Sequence, residues 1–531
     1  MPDQVETEEK REVPIDKKRI ALVNGTISQA GRIEIRGQVV DIPVSEQQIK
    51  EDWDHLLPIP LSQKTSIKPI QDFGMTGVRR ARLQIELLRG KLKNVTVAEL
   101  EKAEVVFTSG VFNGDDNSFF HVRIAPDLPP GNYTIRVLLR GVDSLRQSVA
   151  DLSFIGNSNS LILKKDVDIG YGRLRILPDD YRGLVITSDI DQTYLDTHIG
   201  SSQGLLDTLF ETPVDKQPLP GMPELYRQIK KYGGGVPLLF ISASPHFFRR
   251  TLNTVFEHHD VEFTALNLKY LIGTIDTMIQ KTFQTVTHLP DFLSGGVGNA
   301  LERSFKFLGS SIQSLYDQIA YKLTALLENR LMQPTGAREI LMGDNTESDF
   351  FIFTLYQYII TGKVEGNKLE NYLYKLVFQD REALTRDAAR RITALGRENI
   401  QRHGRLNSVH RVWINLAYQN PSEEDMRRMV EDVLPEGISL NFAASDGIVL
   451  FNGCQGGIGF ALAALDDELI ELEQFGQIWR FMLQSPPERR PSENAMTEIV
   501  RSMPLRRYRA EEILDSTLVG TDQESNNPSG A

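Results

Sequence analysis

Two aspartates two residues apart, Asp189 and Asp191, follow the apolar run Leu184-Val185-Ile186 and the hydroxyl pair Thr187-Ser188. A buried strand that runs straight into two carboxylates is unfavourable. The charges repel each other and resist desolvation unless a cation or a proton sits between them. At the mouth of a strand a divalent cation such as Mg²⁺ compensates both. Phosphoryl chemistry is therefore the leading expectation.

Three further features fall at strand ends or on an adjoining helix, in chain order. Ser242 is the first polar residue after the apolar run Leu238–Ile241. Lys322 lies in a segment with Ile319, Leu323, Leu326 and Leu327 at helical spacing. Gly343-Asp344-Asn345-Thr346-Glu347-Ser348-Asp349 directly follows Ile340-Leu341-Met342. An Asp-x-Asp pair alone fits a turn or a helix cap; the later Gly-Asp-x4-Asp argues for a shared site. Ser244 reads as the cap of a helix opening at Pro245. Lys269 and Lys281 are the fallback cations, and Thr193 holds the first loop. Asp196 and Glu347 read as surface or supporting groups.

The elements that must position these residues alternate. Strands are expected at Leu184–Ile186, Pro237–Ile241, Glu339–Met342, Val409–Asn415 and Ile448–Phe451. Helices are expected at Met222–Lys231, Gln318–Arg330 and Phe350–Ile360. That order predicts a doubly wound α/β domain with a mainly parallel sheet, over residues 166–484. Such sheets bind ligands at the carboxyl ends of their strands. Residues 18–165 differ. Short alternating or β-branched runs recur there between turn signals such as Asn113-Gly114-Asp115-Asp116, which predicts a β-rich, sandwich-like accessory domain. The segment Asp127–Tyr133 resembles the tyrosine-corner turn of immunoglobulin-like domains. Residues 1–17 and 485–531 read as flexible tails, the latter with a short helix around Glu511–Leu514.

With these residues in place, the chain resembles a haloacid dehalogenase superfamily phosphatase, whose four motifs stand here in order. Within that superfamily it is most similar to the actin-patch phosphatidate phosphatase family. The shared features are Ser188-Asp189-Ile190-Asp191, Pro220-Gly221-Met222-Pro223-Glu224-Leu225-Tyr226, Ile241-Ser242-Ala243-Ser244-Pro245, Tyr321-Lys322-Leu323 and Gly343-Asp344. The resemblance covers roughly residues 170–350 well. It implies Asp189 as the nucleophile that forms an aspartyl-phosphate, and Asp191 as general acid and then base. It also implies a Mg²⁺ held by Asp189, the backbone carbonyl of Asp191, and Asp344. Ser242 would bond the phosphoryl group and Lys322 neutralise it. Asp349 would orient Lys322 or a water on the metal.

The implied function is Mg²⁺-dependent hydrolysis of a phosphate monoester, with phosphatidate favoured, giving diacylglycerol and phosphate. A soluble phosphate ester is the enzymatic alternative. An interaction protein with a vestigial phosphatase domain is the non-enzymatic one. The sequence departs from the family at Gln192, where a third acidic residue is usual. It also carries an apparent insertion at 272–315, expected either as a lid or as an ordinary helical hairpin.

Composition bounds the partners. The chain has 531 residues and a net charge of −12, so non-specific nucleic-acid binding is excluded as an expectation. Cys454 is the sole cysteine, which rules out an internal disulfide and fits a reducing, cytoplasmic setting. The segment from Met1 to Lys18 is charged and unlike a signal peptide. No apolar stretch is long enough for a transmembrane segment, so membrane contact is expected to be peripheral, at a phospholipid surface. Protein partners of the β-rich domain are not legible. Two decoys remain. His246-Phe247-Phe248-Arg249-Arg250 reads either as core aromatics beside a solvated charge pair or as a contact for an acyl chain and headgroup. Asn452-Gly453-Cys454-Gln455-Gly456-Gly457 reads as a strand-to-helix turn rather than a cysteine nucleophile.

Overall fold

A computed structural model describes residues 17–43, 75–91, 102–142, 167–196, 216–232, 235–269, 318–345, 349–378, 381–382, 384–416, 424, 428, 435, 449–451, 457–487, 489–503 and 505–518. The insertion at 272–315, Lys281, Glu347 and Cys454 lie outside these residues, as do most of the first tail and the end of the last.

The chain divides into two compact units. The described residues of the first fall within 17–25 and 31–174. One antiparallel sheet joins Ile33–Pro43 to Lys17–Val23, Thr76–Gly77 and Phe119–Ile124. In another, Ala81–Arg89 pairs with Gly131–Val142, Val105–Thr108 and Phe112–Asn113, again antiparallel. Strand alternation sends Leu83, Ile85 and Leu87 to one buried face. The Tyr133 hydroxyl donates to the carbonyl of Pro129 at 2.7 Å, four residues upstream, which is the bond of a tyrosine corner. The expected boundary at residue 165 moves, because Val167–Leu177 is one unbroken strand beside Gly131–Val142 and its residues through Leu174 group with the first unit.

The second unit is α/β, built on strands β1 (Leu184–Ser188), β2 (Leu238–Pro245), β3 (Ala265–Lys269), β4 (Arg338–Asp344), β5 (Val409–Asn415) and β6 (Val449–Phe451). Their order is β3-β2-β1-β4-β5-β6, and every pairing is parallel. The helices are α1 (Met222–Tyr232), α2 (Arg249–His258), α3 (Gln318–Met332), α4 (Asp349–Ile360), α5 (Gly366–Lys375), α6 (Arg386–His403), α7 (Ile458–Asp466), α8 (Leu472–Leu483), α9 (Glu493–Ser502) and α10 (Ala510–Leu518).

Alternate strand residues enter different cores, which requires helices on both faces. Ile340 and Met342 of β4 pack with α1, α2, α7 and α8, while Leu341 between them packs with α3, α4 and α6. All five residues of β1 are buried. A parallel strand covered on both faces reads as an unbroken apolar run, and for this reason β1 was visible in the sequence.

Two expectations about segment ends fail. Residues 493–518 are not a flexible tail, since α9 and α10 place Met496, Val500 and Ile513 in the core beneath the sheet. Nor does a helix open at Pro245. Strand β2 continues through it, a 3₁₀ turn spans His246–Phe248, and α2 starts at Arg249 without a side-chain cap.

Candidate active site

The chain reverses direction in the strand order between β1 and β4, and a parallel sheet opens a crevice at such a point, beyond the strands' carboxyl ends. Asp189 is the first residue past β1 and Asp344 the last of β4. The register that sets Ser188 beside Met342 carries into a bond from the Asp189 N–H to the Met342 carbonyl at 2.8 Å. Behind the crevice, the Ser188 hydroxyl donates to the Asp189 carbonyl at 2.8 Å. Its single proton is then used, so the Tyr226 hydroxyl, 2.6 Å away on α1, is the donor to it. Burial raises the Tyr226 phenol, which keeps that proton in place.

Asp189, Asp344 and Asp349 are fully buried, with a carboxylate oxygen from each within 4.8 Å of the others. Lys322, also fully buried, sits among them. Its Nζ lies 3.0 Å from Asp189 Oδ1 and 2.6 Å from Asp349 Oδ1. Helical spacing does not by itself say what Lys322 meets; here α3 points it into the carboxylate cluster. Asp349 is the first residue of α4, where an acid suits the helix dipole, and its Oδ2 accepts the Asp344 N–H at 3.3 Å. Burial pushes the Asp349 carboxyl up against the opposing pull of Lys322.

Gly343 lets that side chain fold back. A Cβ on residue 343 would lie 2.6 Å from the Cβ of Asp349. The glycine of the Gly-Asp pair is thus a requirement of close approach.

Three buried carboxylates against one ammonium carry an excess of acidic groups, which low-dielectric surroundings tolerate with a cation or a proton among them. An all-oxygen set of this kind suits a hard divalent ion. The residues present, Asp189, Asp344 and Asp349, therefore fit a hard divalent metal.

Asp191 faces elsewhere. The loop after β1 turns tightly at Gln192, whose φ of 53° is unusual for a non-glycine residue. The Asp191 Oδ2 accepts from Ser242 at 3.1 Å and from Ser244 at 3.0 Å, both on β2. Ser242 also accepts the Ser244 N–H at 3.0 Å. The expected pair Asp191 and Ser242 is thus brought together. Sequence reasoning missed Ser244, because Ser-Pro matched a helix cap; its hydroxyl bonds the carboxylate instead. Thr193 is buried in the same loop. The fallback Lys269 ends β3, while Asp196 pairs at 3.6 Å with Arg489.

The His246–Arg250 stretch holds no solvated charge pair. Arg249 is buried, donating to His246 Nε2 at 3.0 Å and to the Leu266 carbonyl. Burial, then the Arg249 charge, holds His246 well below its ordinary value and so keeps it a neutral acceptor. Gly457, the one described residue of the stretch Asn452–Gly457, packs on the backbone of Pro220–Met222 and donates to the Pro220 carbonyl at 2.8 Å, a structural use of that glycine.

Residues 184–313 match the family described as "Phosphatidate phosphatase APP1, catalytic domain". The match contains Asp189, Asp191, Ser242 and Ser244, whereas Lys322, Asp344 and Asp349 lie past its end and join them through the fold. No curated protein matches the chain.

Proposed function

We propose that this chain is a Mg²⁺-dependent phosphatidate phosphatase of the haloacid dehalogenase type, working through an aspartyl-phosphate on Asp189. The observation that carries the reading is the placement of Lys322 between the buried carboxylates of Asp189 and Asp349. The strand order and the position of the site at its reversal support the superfamily, and the family match supports the lipid substrate.

The residues divide the work as follows. Asp189 attacks phosphorus, and the bond between phosphorus and the ester oxygen breaks as the Asp189–phosphorus bond forms. Asp191 gives its proton to the departing oxygen, releasing diacylglycerol. It then takes a proton from the water that cleaves the aspartyl-phosphate, releasing phosphate. Lys322 and Ser242 hold the phosphoryl oxygens, and Asp349 holds Lys322. Asp189, Asp344 and the carbonyl of Asp191 would hold the metal. Mg²⁺, when bound, removes the repulsion between the phosphoryl oxygens and Asp189.

The described residues contain no helix long and apolar enough to cross a membrane. Phosphatidate, on this reading, is met at a membrane surface by peripheral contact. The β-rich unit is read as an immunoglobulin-like sandwich serving interaction, a reading the Tyr133–Pro129 bond supports.

The test is phosphate release with Mg²⁺ from phosphatidate in mixed micelles, against a panel of soluble esters. Phosphatidate turnover that disappears in Asp189→Asn is expected. Preference for the soluble esters would remove the lipid assignment, and full turnover by Asp189→Asn would remove the mechanism.

A further inference from the structure

Asn415, a buried amide at the same sheet edge, belongs to none of the four motifs. It ends β5, in register with Asp344 at the end of β4, and is 2% exposed. Strand β4 lies between β5 and β1. Even so, Asn415 Nδ2 donates at 2.7 Å to the carbonyl of Gln192, in the loop after β1. The side chain therefore reaches across the end of β4, the edge that carries Asp344. Its backbone carbonyl accepts the N–H of Asn345 at 3.1 Å, which fixes the same edge a second time.

Two facts give this contact a purpose. Gln192 holds a left-handed backbone conformation that a non-glycine residue keeps only when its surroundings enforce it. Asp191 is its immediate neighbour, so a hold on the Gln192 carbonyl is a hold on Asp191. The other end of the amide, Asn415 Oδ1, is buried and has no hydrogen-bond partner among the described residues. A buried acceptor calls for a donor. The neighbouring carboxylates, when ionised, accept only. Water on a Mg²⁺ ion donates outward, and Mg²⁺ keeps several such waters.

We propose that Asn415 is a positioning residue with two functions: its nitrogen fixes the loop that carries Asp191, and its oxygen accepts from the hydration shell of the cation at Asp344. This rests on the metal-dependent reading above.

The test uses the full chain. Thermal melting is followed through a Mg²⁺ titration, alongside steady-state phosphate release. In Asn415→Ala the Mg²⁺ concentration for half of the melting shift should rise about 10- to 100-fold, the usual effect of losing a partner of a metal's shell. Its kcat should fall with KM kept. Asn415→Asp retains an acceptor and loses the donor, so its Mg²⁺ response should hold or tighten while kcat still falls. If both variants melt lower without Mg²⁺ and keep the wild-type Mg²⁺ dependence, Asn415 is merely structural and the proposal is overturned. Unchanged behaviour in Asn415→Ala overturns it as well. A wild-type protein with no Mg²⁺ shift would instead sink the metal-dependent reading, and this proposal with it.

Discussion

The Ser244 hydroxyl donates to Oδ2 of Asp191 at 3.0 Å, sharing that oxygen with Ser242. Ser242 has one proton to give, and a phosphoryl group in the site would claim it. Ser244 then remains as the donor that holds Asp191 through the cycle. Ser244→Ala should lower kcat by about 10- to 100-fold, the scale of one hydrogen bond to a charged group. That loss should run across the whole pH–rate profile. A mutant profile that overlays the wild type would reduce Ser244 to packing.

Gly343 lies where the Asp349 side chain folds back on β4. Gly343→Ala should displace that carboxylate and, with it, Lys322. A misplacement of about 1 Å in such a site costs on the order of a hundredfold in rate. Phosphate release by a variant whose circular dichroism is native checks this. Near-normal turnover would mean that Asp349 has room to shift without consequence.

Lys322 is the counter-charge for a buried carboxylate cluster. Lys322→Met leaves Asp189 and Asp349 without it, and removing one partner of a buried pair costs about 3–5 kcal/mol. The loss should appear in urea unfolding without Mg²⁺ and shrink when Mg²⁺ is added, because the cation replaces the missing charge. Equal losses in both conditions would contradict a metal at this cluster.

His259 contributes to the pH dependence, beside His246, which burial also holds low. The Tyr194 hydroxyl lies 2.8 Å from Nδ1 of His259, a hydrogen bond whose direction follows the ring's tautomer. Burial, then the charges of His258 and Arg227, lowers the ring to about 4 from the ordinary 6.5. Between those values the unfolded chain binds a proton that the folded one does not, so stability falls as pH drops from about 6.5 toward 4. His259→Asn should flatten melting temperature against pH across that window. Parallel curves for both proteins would assign the loss to other groups.

Truncation after Ser485 should destabilise the second unit. It removes Met496, Val500 and Ile513, each at most 1% exposed, from the core. Three buried side chains of this size contribute on the order of 5 kcal/mol. The bond from the Arg506 N–H to Asp466 at 2.8 Å is lost as well. An unchanged melting temperature would restore the view of this region as a tail.

The catalytic strand was legible because burial on both faces leaves an apolar run that ends at the first charge, Asp189. The Gly343-Asp344 pair was legible for the same reason at β4. Of the C-terminal helices only the short one around Glu511–Leu514 was legible; the helix before it was not, because Pro486-Pro487 and a charged composition carry the local marks of disorder. Ser244 was misjudged because a serine before proline satisfies the local rules of a cap whether or not a helix follows. Arg249 was misjudged because nothing in its neighbours in sequence announces the Leu266 carbonyl.

The order of the acidic, hydroxyl and lysine residues, and the alternation that sets them at strand ends, came from the sequence alone, since both are local properties. Which of those groups are buried and paired was decided by the tertiary structure. Asp349 and Lys322 stand 27 residues apart, Ser242 and Asp191 stand 51 apart, and Asn415 and Gln192 stand 223 apart. The physical reason is that desolvation and charge pairing depend on distance in space. Parallel strands separated by helices bring their ends together only when the sheet is complete.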